Sequence, residues 1–368
     1  MATSSVAMWR NIGVMRGIGI ALVALNHATM GAFGVLHEAP PASGPTTLQV
    51  IVEVIARGLT PVCLPLFLCA AGFFTYRFSA TWPTALANAR RVLLRYLLWS
   101  IPGLVVVALL ANHPLDWKDT VSTFVGGPWP TYWFLLLLVQ LSLLSPWLAR
   151  LVTTWPTVAL GVALALEAGS IVVAGLGASG HPVLPSHFVL LHLPYFILGM
   201  SLSARGAPLV AFAARHRTPM AVVGVAAAIS SCVESIWLGG LLGDGSPGSY
   251  VYAGERVSLQ VFALVAIVLI AAMPASTGRL HKILDWIGMR SLAVLLLMDP
   301  AVRLTTAVLW HVDQLVFGVV RADAVPPAWM TNVALVPVLF VVALGVPVAT
   351  YHLVEVRFGA KVRTFLFA

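Results

Sequence analysis

Apolar residues come in long runs along this 368-residue chain, and polar residues collect between the runs. A helix crosses the hydrocarbon of a bilayer with about 20 mostly apolar residues. Ten segments reach that length: 11–31, 48–74, 91–111, 131–149, 157–176, 187–204, 219–241, 257–274, 287–310 and 331–354. Between them lie stretches such as HEAPPASGP (37–45), ANHPLDWKD (111–119) and GDGSPGS (243–249), whose Pro, Gly, Ser and charged residues predict loops. No internal repeat or low-complexity tract interrupts the pattern. It predicts an all-α, polytopic membrane protein with about ten transmembrane helices. These form a single domain over 1–368, with no appended soluble domain expected.

Composition strengthens this reading. The chain is 60% hydrophobic and 9% charged, whereas a soluble domain carries about 25% charged residues. Its net charge of +8 does not form the solvated basic stripe of a nucleic-acid binder. The basic residues sit instead at the ends of apolar runs, where they report orientation. With the amino terminus in the cytoplasm, 15 of the 21 basic residues fall inside and only Lys118, Arg256 and Arg321 outside. Arg16, Arg57 and Arg303 remain within spans. The asymmetry predicts an N-in, C-in arrangement in a cell membrane. Arginine outnumbers lysine 18 to 3, as in a GC-rich genome, which points to a bacterial inner membrane. Arg16 would interrupt the apolar core of a signal peptide, so the first segment reads as a span. Cys63, Cys69 and Cys232 lie inside apolar runs without redox or metal spacing.

Ionisable groups within spans are costly and mark candidate sites. The first span contains RGIGIALVALNH (16–27). Eleven residues make almost three helical turns, so Arg16 and His27 share a face roughly 16 Å apart along the axis. That face carries an anion anchor at one end and a titratable base or nucleophile at the other. A snorkelling arginine and a hydrogen-bonded packing histidine are the bland alternative. Glu53 and Arg57, and Asp299 and Arg303, are spaced i, i+4 and are expected to neutralise each other within their own helices.

Arg90, Arg91 and Arg95 follow the second span, with Arg91 and Arg95 on one face. They suit either phosphate binding or ordinary positive-inside anchoring. The histidines show no pair on one helical face with an acidic third member, so no metal is expected. Gly13 and Gly17 form a GxxxG pair suited to close helix packing.

Taken in order, these segments resemble the acyltransferase 3 family of integral membrane acyltransferases. The centre of the match is Arg16-Gly17-Ile18-Gly19 running to His27. PLFLCAAGFF (65–74), ARRVLLRYLLWSIP (89–102), YWFLLLLVQLSLLSPWL (132–148), YFILGM (195–200) and YHLVEVRF (351–358, with Glu355) follow in the family's order. The likeness spans about residues 10–358. The chain also departs from the family's pattern, the arginine spacing of the basic stretch included. Gly13 replaces a frequent acid three residues before the arginine, and Ala71 replaces a frequent Ser before Gly72. In the ninth span a family pattern of Ser, Tyr and His-Pro reads Ser291, Leu295 and Met298-Asp299-Pro300.

The resemblance implies an acyl-CoA donor, most often acetyl-CoA, and an acceptor hydroxyl on a sugar, a glycolipid or cell-envelope glycan, or a secondary metabolite. It places the donor's phosphates near Arg16 and near Arg90, Arg91 and Arg95. His27 becomes a general base or transient acyl carrier, with Glu53 a candidate to orient it. The thioester is already activated, so the implied chemistry asks for no metal. A multi-pass transporter or exporter is the competing class, because it too carries intramembrane charge pairs. The sequence shows neither a repeated half nor a matched pair of Gly/Pro-broken helices to support it.

Overall fold

The computed structural model describes residues 2–33, 47–78, 80–110, 117, 132–176, 189–238, 256–274, 278–317 and 335–367. Among them the chain is helical, with no strand. We number the helices α1 (Ala2–Phe33), α2 (Thr47–Gly58), α3 (Cys63–Phe78), α4 (Trp82–Leu110), α5 (Trp133–Thr154), α6 (Pro156–Leu176), α7 (Leu193–Arg215), α8 (Arg217–Leu238), α9 (Val257–Ala271), α10 (Arg279–Met289), α11 (Ser291–Phe317) and α12 (Leu335–Phe367). Seven stretches among the described residues are long and apolar enough to cross a membrane: Met8–Thr29, Val50–Phe78, Trp133–Thr154, Val189–Arg215, Arg217–Ser235, Ser291–Leu309 and Leu335–Phe367. Pro156–Ser170 and Val257–Ala271 are shorter apolar helices. The run expected over 91–111 lies within α4.

The first span is the hub. Helix α1 packs against α3, α9, α10, α11 and α12. Ile12, Met15, Ile20, Ala24 and Ala28 are fully buried on it. Peripheral helices turn apolar side chains outward instead, as Val222, Val225, Ile229 and Val233 do on α8. Apolar residues on the outside cost nothing when the surrounding solvent is lipid.

Helices interlock where glycines remove the side chain. A Cβ on Gly199 of α7 would lie 1.9 Å from the Cys69 carbonyl oxygen of α3, and one on Gly72 of α3 would lie 2.0 Å from the Phe196 carbonyl oxygen of α7. The two glycines therefore seat each helix on the other's backbone. They belong to the two motifs AAGFF and YFILGM, which meet at this crossing. The GxxxG pair of α1 finds its partner in α10. Gly17 faces the Leu284 carbonyl, and Gly288 faces the backbone of Gly13 and Gly17.

One expected span is not a single helix. The run over 48–74 is divided into α2 and α3 by a 3-10 turn at Thr60–Val62. Pro61 and Pro65 cause the division, because neither supplies an N–H to the preceding turn.

At the α3–α7 crossing, Gly199→Ala should destabilise the protein by about 1–3 kcal/mol, the usual cost of overpacking. Gly161→Ala on α6, where a Cβ meets nothing within 4 Å, should leave stability at or above wild type. Thermal unfolding of both variants in detergent checks the contrast.

Candidate active site

Helices α1 and α11 meet at two polar contacts. At one end the Arg16 Nη2 donates to Ser291 Oγ at 2.7 Å. At the other, His27 Nδ1 lies 2.7 Å from Asp299 Oδ1. Both side chains of the second contact are mostly enclosed, at 13% and 5% exposure. Arg16 and His27 are eleven residues apart on α1, and Ser291 and Asp299 eight apart on α11. In helical rise these spans are roughly 16 and 12 Å, and the long arginine side chain covers the shortfall.

The local sequence explains why the contacts form. Gly13, Gly17 and Gly288 let α10 approach the backbone of α1. The turn from α10 into α11 then delivers Ser291 to Arg16. Phe74 of α3 lies beneath the guanidinium, 5.6 Å from it to the ring centroid, at cation–π range.

Asp299 is presented by a proline-containing stretch of α11. Pro300 cannot donate the N–H that would normally reach the carbonyl of Leu296, four residues earlier. Tyr132 takes that place, its hydroxyl donating to the Leu296 oxygen at 2.8 Å. Both the carbonyl and its partner sit in the interior, since Tyr132 and Leu296 are fully buried. Asp299 is therefore held next to a proline whose vacated backbone position is filled by a fixed side chain.

The Asp299 carboxylate reaches across to His27, a contact that the spacing within its own helix does not announce. Arg303 stands exposed on the same helix. Asp299 lies against the imidazole, and the side chain of Glu53, the expected orienting group, lies outside the described residues. On the other flank of His27, Thr60 Oγ1 lies 3.1 Å from Asn26 Oδ1. The turn dividing α2 from α3 therefore abuts the residue preceding the histidine.

The basic trio separates. Arg90 and Arg91 are exposed on α4, whereas Arg95 is buried. Its Nη2 donates to the Thr364 carbonyl at 3.2 Å. Trp99 Nε1 likewise donates to the Leu366 carbonyl at 3.3 Å. Both contacts hold the last turns of α12, which follow a bend at Gly359 (φ 80°). Arg290 and Arg363 flank Tyr351, at 5.3 and 5.5 Å from its ring centroid, and Arg363 pairs with Glu355. Arg290 immediately precedes Ser291 in the chain, and its guanidinium lies over the Trp286 ring at 3.9 Å. Sequence reading passed over Arg290, Arg363 and Ser291 as sites. The signal available for Ser291 was its match to the family pattern.

The arrangement separates a guanidinium at one end of the α1 face from an imidazole at the other. In the neutral tautomer the nitrogen facing a carboxylate carries the imidazole proton, so Nδ1–H on Asp299 would leave the lone pair on Nε2. Among the described residues no group of three His, Cys, Asp or Glu side chains comes together to hold a metal.

Such a bundle, with a buried histidine–carboxylate contact and an arginine further along the same face, is a polytopic helical membrane protein. The chain belongs to the acyltransferase 3 family, whose acyltransferase-domain model matches residues 9–352. No curated protein and no solved structure matches the chain.

Replacing Tyr132 with Phe would leave the Leu296 carbonyl buried and unpaired. The expected cost is about 1–3 kcal/mol, read as a lowered Tm of purified protein.

Proposed function

We propose that the protein transfers an acyl group, by family default acetyl, from acyl-CoA to a hydroxyl group. The acceptor class is a sugar, a glycolipid or cell-envelope glycan, or a secondary metabolite. The observation that carries the reading is the 2.7 Å contact of His27 Nδ1 with Asp299, in a chain of the acyltransferase 3 family.

In this reading the acceptor hydroxyl approaches Nε2 of His27. Nε2 removes its proton as the oxygen attacks the thioester carbonyl. Asp299 keeps the ring oriented and stabilises the imidazolium that forms. Collapse of the tetrahedral intermediate breaks the C–S bond, and the imidazolium returns its proton to the departing thiolate. Ester and free thiol result, with no net proton change. Direct acylation of His27 followed by transfer uses the same ring and the same carboxylate.

Arg16 sits at the donor's charged end. One of its five N–H donors is used on Ser291, and the guanidinium retains capacity for phosphate oxygens. Arg290, together with Arg95, Arg90 and Arg91 of α4, adds positive charge on the side expected to face the cytoplasm. A donor anchored there reaches His27 along the α1 face. The acceptor enters at the opposite end, from within the membrane or beyond it. The proposed location is a bacterial inner membrane, spanned several times.

Free-thiol release from acetyl-CoA by purified protein tests this directly. His27→Ala should lower kcat by about 10²–10⁴-fold, the range of general acid–base catalysis, with the fold retained. Wild-type turnover in that variant rejects the mechanism. Asp299→Asn should lower kcat by at least about tenfold while leaving the donor KM near wild type, because it disturbs ring orientation alone. For Arg16→Ala the expected signature is the reverse. Donor KM rises about tenfold or more, as loss of a charge-assisted contact predicts, and kcat changes less.

A further inference from the structure

The turn that divides α2 from α3 is tied down by a residue that the sequence places in an exterior loop. Arg256 caps the start of α9 and is only 5% exposed. Its Nη1 donates to the Ser231 carbonyl of α8 at 2.9 Å. Nη2 donates to the Arg57 carbonyl, the oxygen left without its helical partner because Pro61 has no N–H. Two neighbouring carbonyls of the break are satisfied in the same way. Gly58 accepts from Ser231 Oγ at 2.7 Å, and the Ala56 carbonyl faces Thr60 Oγ1, whose one proton it shares with Asn26 Oδ1. Glu234 provides negative charge near the guanidinium and is itself held by Ser258 Oγ at 2.5 Å.

A buried guanidinium in a membrane protein is expensive, and this one is spent on backbone carbonyls. The other side of the same turn explains what it maintains. Thr60 projects from the turn onto Asn26 at 3.1 Å, one residue from His27. Helix α1 is thus held at Asn26 by Thr60 and at His27 by Asp299. The break fixes one flank of the imidazole while α11 fixes the other.

We propose that Arg256 is a positioning residue of the acyl-transfer site, holding the broken second span so that Thr60 bears on Asn26 and sets the placement of His27. This rests on the acyl-transfer reading. Arg256 touches no reacting atom and acts through the turn. Its loss displaces the imidazole relative to the thioester carbon without touching the donor's anchor at Arg16. Misplacement of a reacting group by about 1 Å is enough to cost on the order of 10²-fold in rate.

The test compares wild type, Arg256→Gln, Arg256→Lys, Thr60→Val and the Arg256→Gln/Thr60→Val double variant as full-length purified proteins. Arg256→Gln is expected to lower kcat for acetyl-CoA turnover by about 10–100-fold, within the range for geometric misplacement, with donor KM within about twofold of wild type. A residue that serves stability alone would reduce the yield of folded protein and leave kcat per folded molecule unchanged. Lysine offers one compact cation in place of a fork spanning two carbonyls, so Arg256→Lys should fall between the two. Because both residues act through one turn, the double variant should be no worse than the more damaged single.

Wild-type kcat in folded Arg256→Gln or Arg256→Lys overturns the proposal, as does multiplication of the two single effects. Should Arg256→Gln not fold, Thr60→Val and Arg256→Lys carry the same test, and unchanged kcat in either overturns it. A second readout is independent of acyl transfer. The Cys232 thiol lies 2.8 Å from where a Gly58 Cβ would stand, so its maleimide labelling reports the state of the break. Labelling is expected to quicken severalfold in Arg256→Gln, and an unchanged rate overturns the proposal. A wild-type protein that consumes no acetyl-CoA would count against the acyl-CoA reading. The labelling result would still decide whether Arg256 holds the turn.

Discussion

Hydrocarbon offers no hydrogen bonds, so every backbone carbonyl that a proline leaves unpaired inside this bundle must be met by the protein itself. Much of the candidate site is organised by that demand. Pro300 frees Leu296, and Tyr132 answers from α5. Pro61 frees Arg57, and Arg256 answers from the start of α9. The same rule operates on α5, where Pro146 frees Ser142 and Ser145 Oγ supplies the bond at 2.7 Å. Two of these three repairs flank the histidine. Residues distant in sequence are brought to one place because each closes a specific gap in the backbone.

Glycines solve the complementary problem of distance. On α1 they let α10 come close enough that Ser291 reaches Arg16 across a single hydrogen bond. On α3 and α7 they seat two backbones against each other, beneath the aromatic cluster of Trp9, Phe73 and Phe74. Packing and polar contact are therefore linked. Without the glycine seam the α10–α11 turn would stand off from α1, and Arg16 would lose its partner. Exposed Leu280, Ile283 and Met289 on α10 face away from this seam.

The helices were legible because lipid imposes long apolar runs, and the Arg16–His27 face was legible because helical geometry is local. Asp299 was harder to read. Arithmetic within one helix sees only Arg303 four residues on, and the imidazole that the carboxylate meets lies 272 residues away in the chain. The burial of Arg256 was hard to read for a related reason. Placed between apolar runs this arginine looks like a loop cation, and its burial depends on carbonyls whose freedom comes from a proline far away. Arg90, Arg91 and Arg95 read as one cluster, yet one helix turn separates exposure from burial. The break after α2 was concealed by the uniform apolarity of 48–74, although Pro61 and Pro65 were the available sign.

Arg16 and His27 are both answered by α11, and this sets a limit on how such a protein diversifies. Rotating α11 by one residue position would swing Ser291 and Asp299 away together, since adjacent positions differ by about 100°. The two contacts are thereby held as one geometric unit, and neither can shift alone. Sequence changes that leave both contacts intact must lie in parts of the bundle that do not bear on this helix pair.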